Sequence, residues 1–465
     1  MASTLLRCAG CGALVPPLRD APFPFRCAHA VPGDDIDHVV ERVLDPVGLT
    51  FPLGGEPSPF ARFRAFFHAY QTAIAGGMSN ADYLAIVDRL DARLEATSGR
   101  RFRVTPLTHG VALGERLGFT PGVGGVWIKN ETVNPGDSHK SRHLVGIMLY
   151  LEVVTALDLG PESPPPLAIA SCGNAALAAA VVARAAGREL SVFVPPDADP
   201  EVLTRLAELG AHVTKCPRIP GVPGDPAVRA FREEVARGAI PFACQGSDAG
   251  LTIDGGATIG AELAATDVPF DRVLVQVGGG AFASAVIRGF LDALALGRIS
   301  KLPRFHAVQT RAVAPLRRAY DAVADRILKR LGVEGTSPAG DAVRAAWISA
   351  ADPAIIGEEL AFAARHRSLF MWPWEQEPHS LAGAIIDDET YDWLAVVRGM
   401  LLSGGYPLTV DEPTLARAHA AARETTSIQV GPSGSAGLAG LMHLVDLEPK
   451  VTTEKVAVIF SGVRG

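Results

Sequence analysis

The chain has 465 residues, with 43 Lys and Arg against 50 Asp and Glu and a formal net charge of −7. That balance excludes the basic face of a nucleic-acid binder, and 48% hydrophobic against 20% charged residues excludes a largely disordered chain. Lysine occurs at only seven positions, 129, 140, 215, 301, 329, 450 and 455, so each one is worth placing.

The Ala-rich run from Ala175 to Gly187 is broken by Arg184 and is too short to cross a bilayer. The start shows no charged segment followed by an apolar core and a small-residue cleavage site. Six cysteines are too few for a disulfide framework at this length. The expectation is a cytoplasmic protein in a reducing compartment, with no membrane and no nucleic-acid partner.

The first 33 residues hold Cys8-Ala-Gly-Cys11 and Cys27-Ala-His29. A C-x2-C knuckle offers two thiolates to one tetrahedral metal, and Cys27 with His29 are the candidates to close a zinc set. A metal-free remnant of such a ribbon is the alternative, because the second pair has a single intervening residue. From Asp37 to Gly99 the pattern reads as helical, with apolar residues three and four apart from Tyr83 to Leu94.

Beyond that, short apolar runs alternate with longer amphipathic ones. Leu190–Pro195 reads as a strand, Glu201–Gly210 as a helix and Ala211–Lys215 as a strand. A strand-then-helix pattern recurs over Pro166–Gly187 and Arg272–Leu294, and the chain closes on the apolar run Lys455–Phe460. This alternation predicts an α/β fold with a mostly parallel sheet covered by helices on both faces. Ligands then belong at the carboxyl ends of strands.

Four loops stand at such places. Asn134-Pro-Gly-Asp-Ser-His139-Lys140 leads from a strand into a helix beginning near Ser138. A lysine in a first helical turn meets the positive dipole end, which suits a neutral amine nucleophile better than an ammonium; a surface lysine covering apolar area is the plain alternative. Ser171-Cys172-Gly173-Asn174-Ala175 opens an Ala-rich helix, as an anion-binding turn or an ordinary cap. Gly278-Gly279-Gly280-Ala281 follows a buried strand, where backbone without side chains wraps a phosphate. Ser461 ends the last strand, where a hydroxyl satisfied by backbone is the default.

Gly278, Gly280 and Ala283 also fit G-x-G-x-x-A, which raises an NAD-dependent oxidoreductase. That motif needs an acid at the end of the following strand, and Arg304–Thr310 ends without one. Asp387-Asp388-Glu389 reads as the cap of a solvated helix start rather than an acid–base pair. Trp372 and Trp374 read as packing or as the lining of a substrate pocket.

Taken together, the four loops, in this order and spacing, resemble the pyridoxal-phosphate enzymes of fold type II, the tryptophan-synthase-β-like family. Thr105-Pro-Leu107 and the run from Gly255 to Leu263 add to the match, which covers residue 100 to the end. The Cys-rich start, Pro59–Arg64 and the Gly173-Asn-Ala-Ala run look like threonine synthases, with Ser/Thr dehydratases as near relatives. His139 resembles the histidine that tryptophan synthase β has at this place, where most other members of the family have Phe.

The resemblance implies pyridoxal 5′-phosphate as cofactor, held as an internal aldimine on Lys140, which then serves as base and acid at Cα. His139 would contact the phosphate, Gly278, Gly279, Gly280 and Ala281 would cradle it, Asn174 would bond the 3′ oxygen, and Ser461 would face the ring nitrogen. Ser171, Cys172, Gly173 and Ala175 would hold the substrate carboxylate. A hydroxyl facing the ring nitrogen makes a weaker electron sink than a carboxylate would. The implied chemistry is β or γ elimination or replacement on a hydroxy or phospho-hydroxy amino acid, with a non-catalytic cofactor-binding scaffold as the rival. The implied layout is a Cys-rich segment at 1–33, a large cofactor domain at 34–135 and 245–465, and a small mobile domain at 136–244, in a homodimer.

Overall fold

The computed structural model describes residues 4–218, 224–333 and 340–464. Strands β1 (Thr4–Cys8) and β2 (Val40–Leu44) pair antiparallel. Strands β3 (Leu107–His109) and β4 (Gly125–Asn130) follow. Next come β5 (Leu167–Ala170), β6 (Leu190–Val194), β7 (His212–Lys215) and β8 (Ile240–Pro241), a parallel sheet ordered β7-β6-β5-β8. Strands β9 (Arg272–Gln276), β10 (Arg304–Thr310), β11 (Leu408–Val410) and β12 (Lys455–Phe460) complete a six-stranded sheet ordered β11-β10-β9-β12-β4-β3. Only β3 runs antiparallel in it.

Strand β9 is buried along its whole length and β12 at every residue after Lys455. Helices on both faces of a parallel sheet select such unbroken apolar runs. The reading of residues 37–99 as helical is corrected in its first part. Val40–Leu44 is a strand, and helices occupy Pro59–Arg62, His68–Ala75 and Asn80–Ser98. A five-residue run is too short to display a period, and its partner β1 lies far away in sequence. The last of these helices is bounded as its sequence requires, by a Ser79–Asp82 capping box and by Gly99 at φ 74°.

Two devices fix the helices that carry the site. The first is a seam of glycines around helix Thr252–Ala265, which lies between helices Lys140–Ala156 and Ala281–Ala295. A Cβ on Gly255 would sit 2.0 Å from the Arg142 carbonyl oxygen, one on Gly146 2.7 Å from the Gly255 nitrogen, and one on Gly260 2.1 Å from the Val286 oxygen. Backbone therefore touches backbone, which no other residue permits.

The second is a buried charge cluster. Arg142 is fully enclosed and donates through Nε to Glu131 (2.7 Å) and through Nη1 to Glu262 (2.6 Å) and the Thr258 hydroxyl (2.9 Å). Lys129 donates to Glu262 and to the Thr105 carbonyl (2.7 Å). Asn134 donates to Glu131 at 2.6 Å, and the Thr105 amide to Glu262 at 3.0 Å. Two cations and two anions thus join the end of β4, the Lys140 helix and the central helix.

Arg142→Met leaves Glu131 without a cation and Glu262 with only Lys129, and is expected to lower unfolding free energy by about 3–5 kcal/mol. Gly260→Ala forces apart two backbones and is expected to cost about 1–3 kcal/mol. Urea titrations of the two variants against the parent check both, and an unchanged midpoint for either removes the corresponding device.

Candidate active site

Strand β4 delivers the chain to Lys140 through a turn in which Gly136 and Asp137 both take left-handed backbone, φ 75° and 59°. Gly136 is required there, since a Cβ would come within 3.2 Å of the Ala178 Cα. The turn is tied to the end of β12. Ser138 bridges Gly462, the His139 amide donates to the Ser461 carbonyl at 2.8 Å, and the Val463 amide donates to Asp137 at 3.2 Å. Lys140 is the first residue of its helix and is partly buried. Among the described residues no hydrogen bond or ion pair holds its amine. Its charge acts on His139, His143, Cys244, Asp387 and Asp392, which mark its surroundings.

The His139 ring meets the Ser461 carbonyl at 3.0 Å through Nδ1. A carbonyl only accepts, so Nδ1 carries the proton, and the buried Nε2 is left without a partner. Burial, reinforced by the Lys140 charge, holds this imidazole well below its usual pKa. The ring lies 4.0 Å from that of Phe282, next to the glycine loop. The Ser461 hydroxyl accepts from Gln276 Nε2 at 2.7 Å, which leaves its own hydrogen free to donate.

Asn174 begins helix Asn174–Ala186. Its Nδ2 donates to the Arg464 carbonyl at 2.7 Å, and its Oδ1 is buried without a partner. Ser171, Cys172, Gly173 and Ala175 line the turn from β5 into this helix. The Ser171 amide is spent on Phe193 (3.2 Å), while the first-turn amides have no intrahelical acceptor.

The glycine loop ends β9, and Gly280, at φ 97°, turns it into helix Ala281–Ala295. Residues 385–392 lie directly over it. A Cβ on Gly278 would meet Asp387 Oδ2 at 2.2 Å, one on Gly279 the Tyr391 ring at 3.0 Å, and one on Gly280 the Thr390 methyl at 2.8 Å. Thr390 Oγ1 donates to the Gly278 carbonyl at 3.1 Å, and the Asp392 amide to that of Gly279 at 2.9 Å. Burial pushes the Asp387 carboxyl up to about 6 against the Lys140 charge and the Gly279 amide, both of which lower it. Burial likewise pushes Asp392 up to about 7, although it accepts from the Gly246 amide at 3.0 Å.

The expectation that residues 387–389 cap a solvated helix is therefore corrected. The helix begins at Trp393, Glu389 pairs with Arg367, and Asp387 faces the glycine loop. Trp372 and Trp374 stack on the Arg318 guanidinium, 4.2 and 4.6 Å from its carbon. The Cys8, Cys11 and Cys27 sulfurs converge, but His29 is exposed and the fourth donor beside them is His38. Antiparallel pairing of β2 with β1 brings His38 back to the knuckle, which the short Cys27–His29 spacing did not reveal.

The sequence reading passed over Gln276, Arg142 and His38, and took Asp387 for a helix cap. A lone amide closing an apolar strand before three glycines was the available signal for Gln276. The others are set by pairing over long separations.

Three features fit pyridoxal phosphate: an amine without a partner, a backbone cradle bare of side chains at three successive glycines, and an orphaned side-chain oxygen on Asn174. The comparisons agree. The family described as "Pyridoxal-phosphate dependent enzyme" matches residues 100–367. The threonine synthase of Methanosarcina acetivorans is 26% identical over 361 residues, spanning 77% of this chain and 74% of that protein. Among solved structures, threonine deaminase isoform 2 of Solanum lycopersicum superposes with a TM-score of 0.55 at 16% identity, covering 83% of this chain and 91% of the other. Maize serine racemase superposes with a TM-score of 0.53 at 17% identity, covering 81% and 92%. The structural likenesses speak for the fold; the family match, over more than half of the chain, places it among the pyridoxal-phosphate dependent enzymes.

Proposed function

We propose that the enzyme catalyses elimination or replacement at the β or γ carbon of a hydroxy or phospho-hydroxy amino acid. The observation that carries this reading is the Ser461 hydroxyl, held by Gln276 so that it donates rather than accepts. A neutral donor toward the ring nitrogen leaves that nitrogen unprotonated and moderates electron withdrawal, which suits departure of a leaving group more than transamination. The cofactor, when bound, supplies an electron-withdrawing ring conjugated to the substrate Cα.

The chain's own groups do the rest. The amides of Gly278 to Ala281 and the helix dipole behind them receive the phosphate, while His139, its Nδ1 proton spent on the Ser461 carbonyl, has only an acceptor lone pair on Nε2 and braces the Lys140 turn. Asn174 orients the ring through its amide, and the turn Ser171–Ala175 receives the substrate carboxylate. Lys140 carries the cofactor and moves the proton at Cα. Asp387, with its carboxyl raised to about 6, donates a proton to a departing hydroxyl. The segment 136–244, which carries the four-stranded sheet, closes over the substrate to exclude water.

Purified protein is expected to be yellow, and Lys140→Ala to lose the visible band. A colourless protein after cofactor addition, or an unchanged band in the variant, sinks the assignment. Incubation with Ser, Thr, O-phosphoserine and O-phosphohomoserine, followed by assay of oxo acid, phosphate and new amino acid, separates elimination from replacement. No spectral response to any of the four leaves only a cofactor-binding scaffold.

Asp387 makes a pH-dependent difference. Its acid form is present below a pKa of about 6, so turnover of a hydroxy substrate is expected to fall as pH rises through that value. Asp387→Asn should remove that limb and slow hydroxy substrates by roughly 10²–10⁴-fold. Phosphorylated substrates, whose leaving group needs less protonation, should lose far less. Equal losses on both substrates would assign Asp387 a structural role instead.

A further inference from the structure

We propose that Cys8, Cys11, Cys27 and His38 form a closed tetrahedral site for a zinc-class divalent metal, with Asp34 as the outer partner of the histidine. The four donor atoms all lie within 4.8 Å of one another. Zinc bonds of about 2.3 Å to sulfur and about 2.0–2.1 Å to nitrogen imply tetrahedral edges of about 3.8 Å between sulfurs and about 3.6 Å between sulfur and nitrogen. Cys11 and Cys27 sulfurs stand 3.7 Å apart, and Cys8 sulfur stands 3.4 Å from His38 Nδ1. Both edges match a common centre.

The surroundings are built for it. His38 Nε2 lies 3.0 Å from Asp34 Oδ2, and a carboxylate there accepts a hydrogen bond from Nε2–H, which leaves the Nδ1 lone pair turned toward the sulfurs, as outer partners of metal-bound histidines do. The Asp34 carboxylate is itself held by the Val31 and Ile36 amides at 3.0 and 3.3 Å. The Cys11 and His29 amides donate to the Cys8 and Cys27 sulfurs at 3.5 and 3.4 Å. Gly10 lets the segment bearing His38 approach, since a Cβ there would meet the Asp37 carbonyl oxygen at 2.5 Å. Four protein ligands leave no open position, so the metal is structural and takes no part in the chemistry at Lys140.

The full-length chain, purified under reducing conditions from zinc-supplemented cells, is expected to carry one zinc per chain by elemental analysis. Titration with a mercurial should release that zinc as three thiols react. Exchange for cobalt(II) should give the intense visible bands of a tetrahedral site together with thiolate charge transfer. His38→Ala should lower metal content at least tenfold, His29→Ala should leave it unchanged, and His38→Cys should retain the metal with stronger charge transfer. The last variant keeps the test open if His38→Ala does not fold. A chain without metal, loss of metal in His29→Ala but not in the His38 variants, or a Cys11–Cys27 disulfide in the freshly reduced protein would overturn the proposal.

Discussion

The buried set Lys129, Glu131, Arg142 and Glu262 is the constraint from which the site's geometry follows. An ion moved from water to such an interior costs several kcal/mol unless it is paired and fully hydrogen-bonded. The set therefore works only when complete, and completeness requires β4, the Thr105 segment, the Lys140 helix and the central helix in one arrangement. Arg142 stands two residues beyond Lys140, about 3 Å farther along the helix axis. Fixing its guanidinium by bonds in three directions fixes the first helical turn. Lys140 can then present an amine with no partner of its own, because its backbone is positioned by a neighbour.

Sheet order supplies the second half of the geometry. Strands β9, β12 and β4 are consecutive neighbours and run parallel, so their carboxyl ends lie at one edge. The glycine loop leaves β9, Ser461 ends β12 and the Lys140 turn leaves β4. The Ser171–Ala175 turn, with Asn174 in it, comes from the other sheet, so the candidate site lies between two sheets, as ligand sites at such boundaries commonly do. The amino-terminal segment braces the same edge from outside. Asp35 receives the Ser368 amide at 2.7 Å, Asp37 pairs with Arg367 at 3.2 Å, and Arg367 pairs with Glu389 in the segment that covers the glycines. What holds residues 34–38 in place is thereby felt at the cradle.

Much of this was legible in the sequence, and the division is physical. Strands β5, β6, β9 and β12 announce themselves because a parallel sheet covered on both faces demands short apolar runs, with small-residue helices between them, whereas β7, polar and exposed at the sheet edge, is legible only from its place after a helix. Lys140, Gly278–Gly280 and Ser461 are legible because chemistry at strand ends needs particular residues in particular turns. The charge cluster is not, since Arg142 and Glu262 are 120 residues apart and each alone reads as a surface charge. Asp387 was misread because three adjacent acids look solvated until the fold sets one of them against a glycine loop. His38 escaped for a related reason: the position that faces the knuckle is set by the register of β1 with β2, not by spacing from Cys27.

The scarcity of lysine acquires a reason from this arrangement. The buried cations of the described residues are arginines wherever a permanent charge is needed: Arg42 between Asp254 and Asp292, Arg142 in the cluster, and Arg272 between Glu448 and Glu454. Guanidinium does not deprotonate in proteins and is a poor nucleophile, whereas a desolvated lysine amine becomes reactive. Lys129 is the exception, and its amine is spent on Glu262 and the Thr105 carbonyl. Around Lys140 burial favours the neutral forms of its neighbours, with His143 pushed down to about 3 and Asp392 up to about 7. An incoming phosphate thus meets backbone dipoles instead of fixed cations. At the carboxyl ends of β9, β12 and β4 the one lysine amine without a partner among the described residues is that of Lys140, since Lys129 nearby is spent on Glu262 and the Thr105 carbonyl.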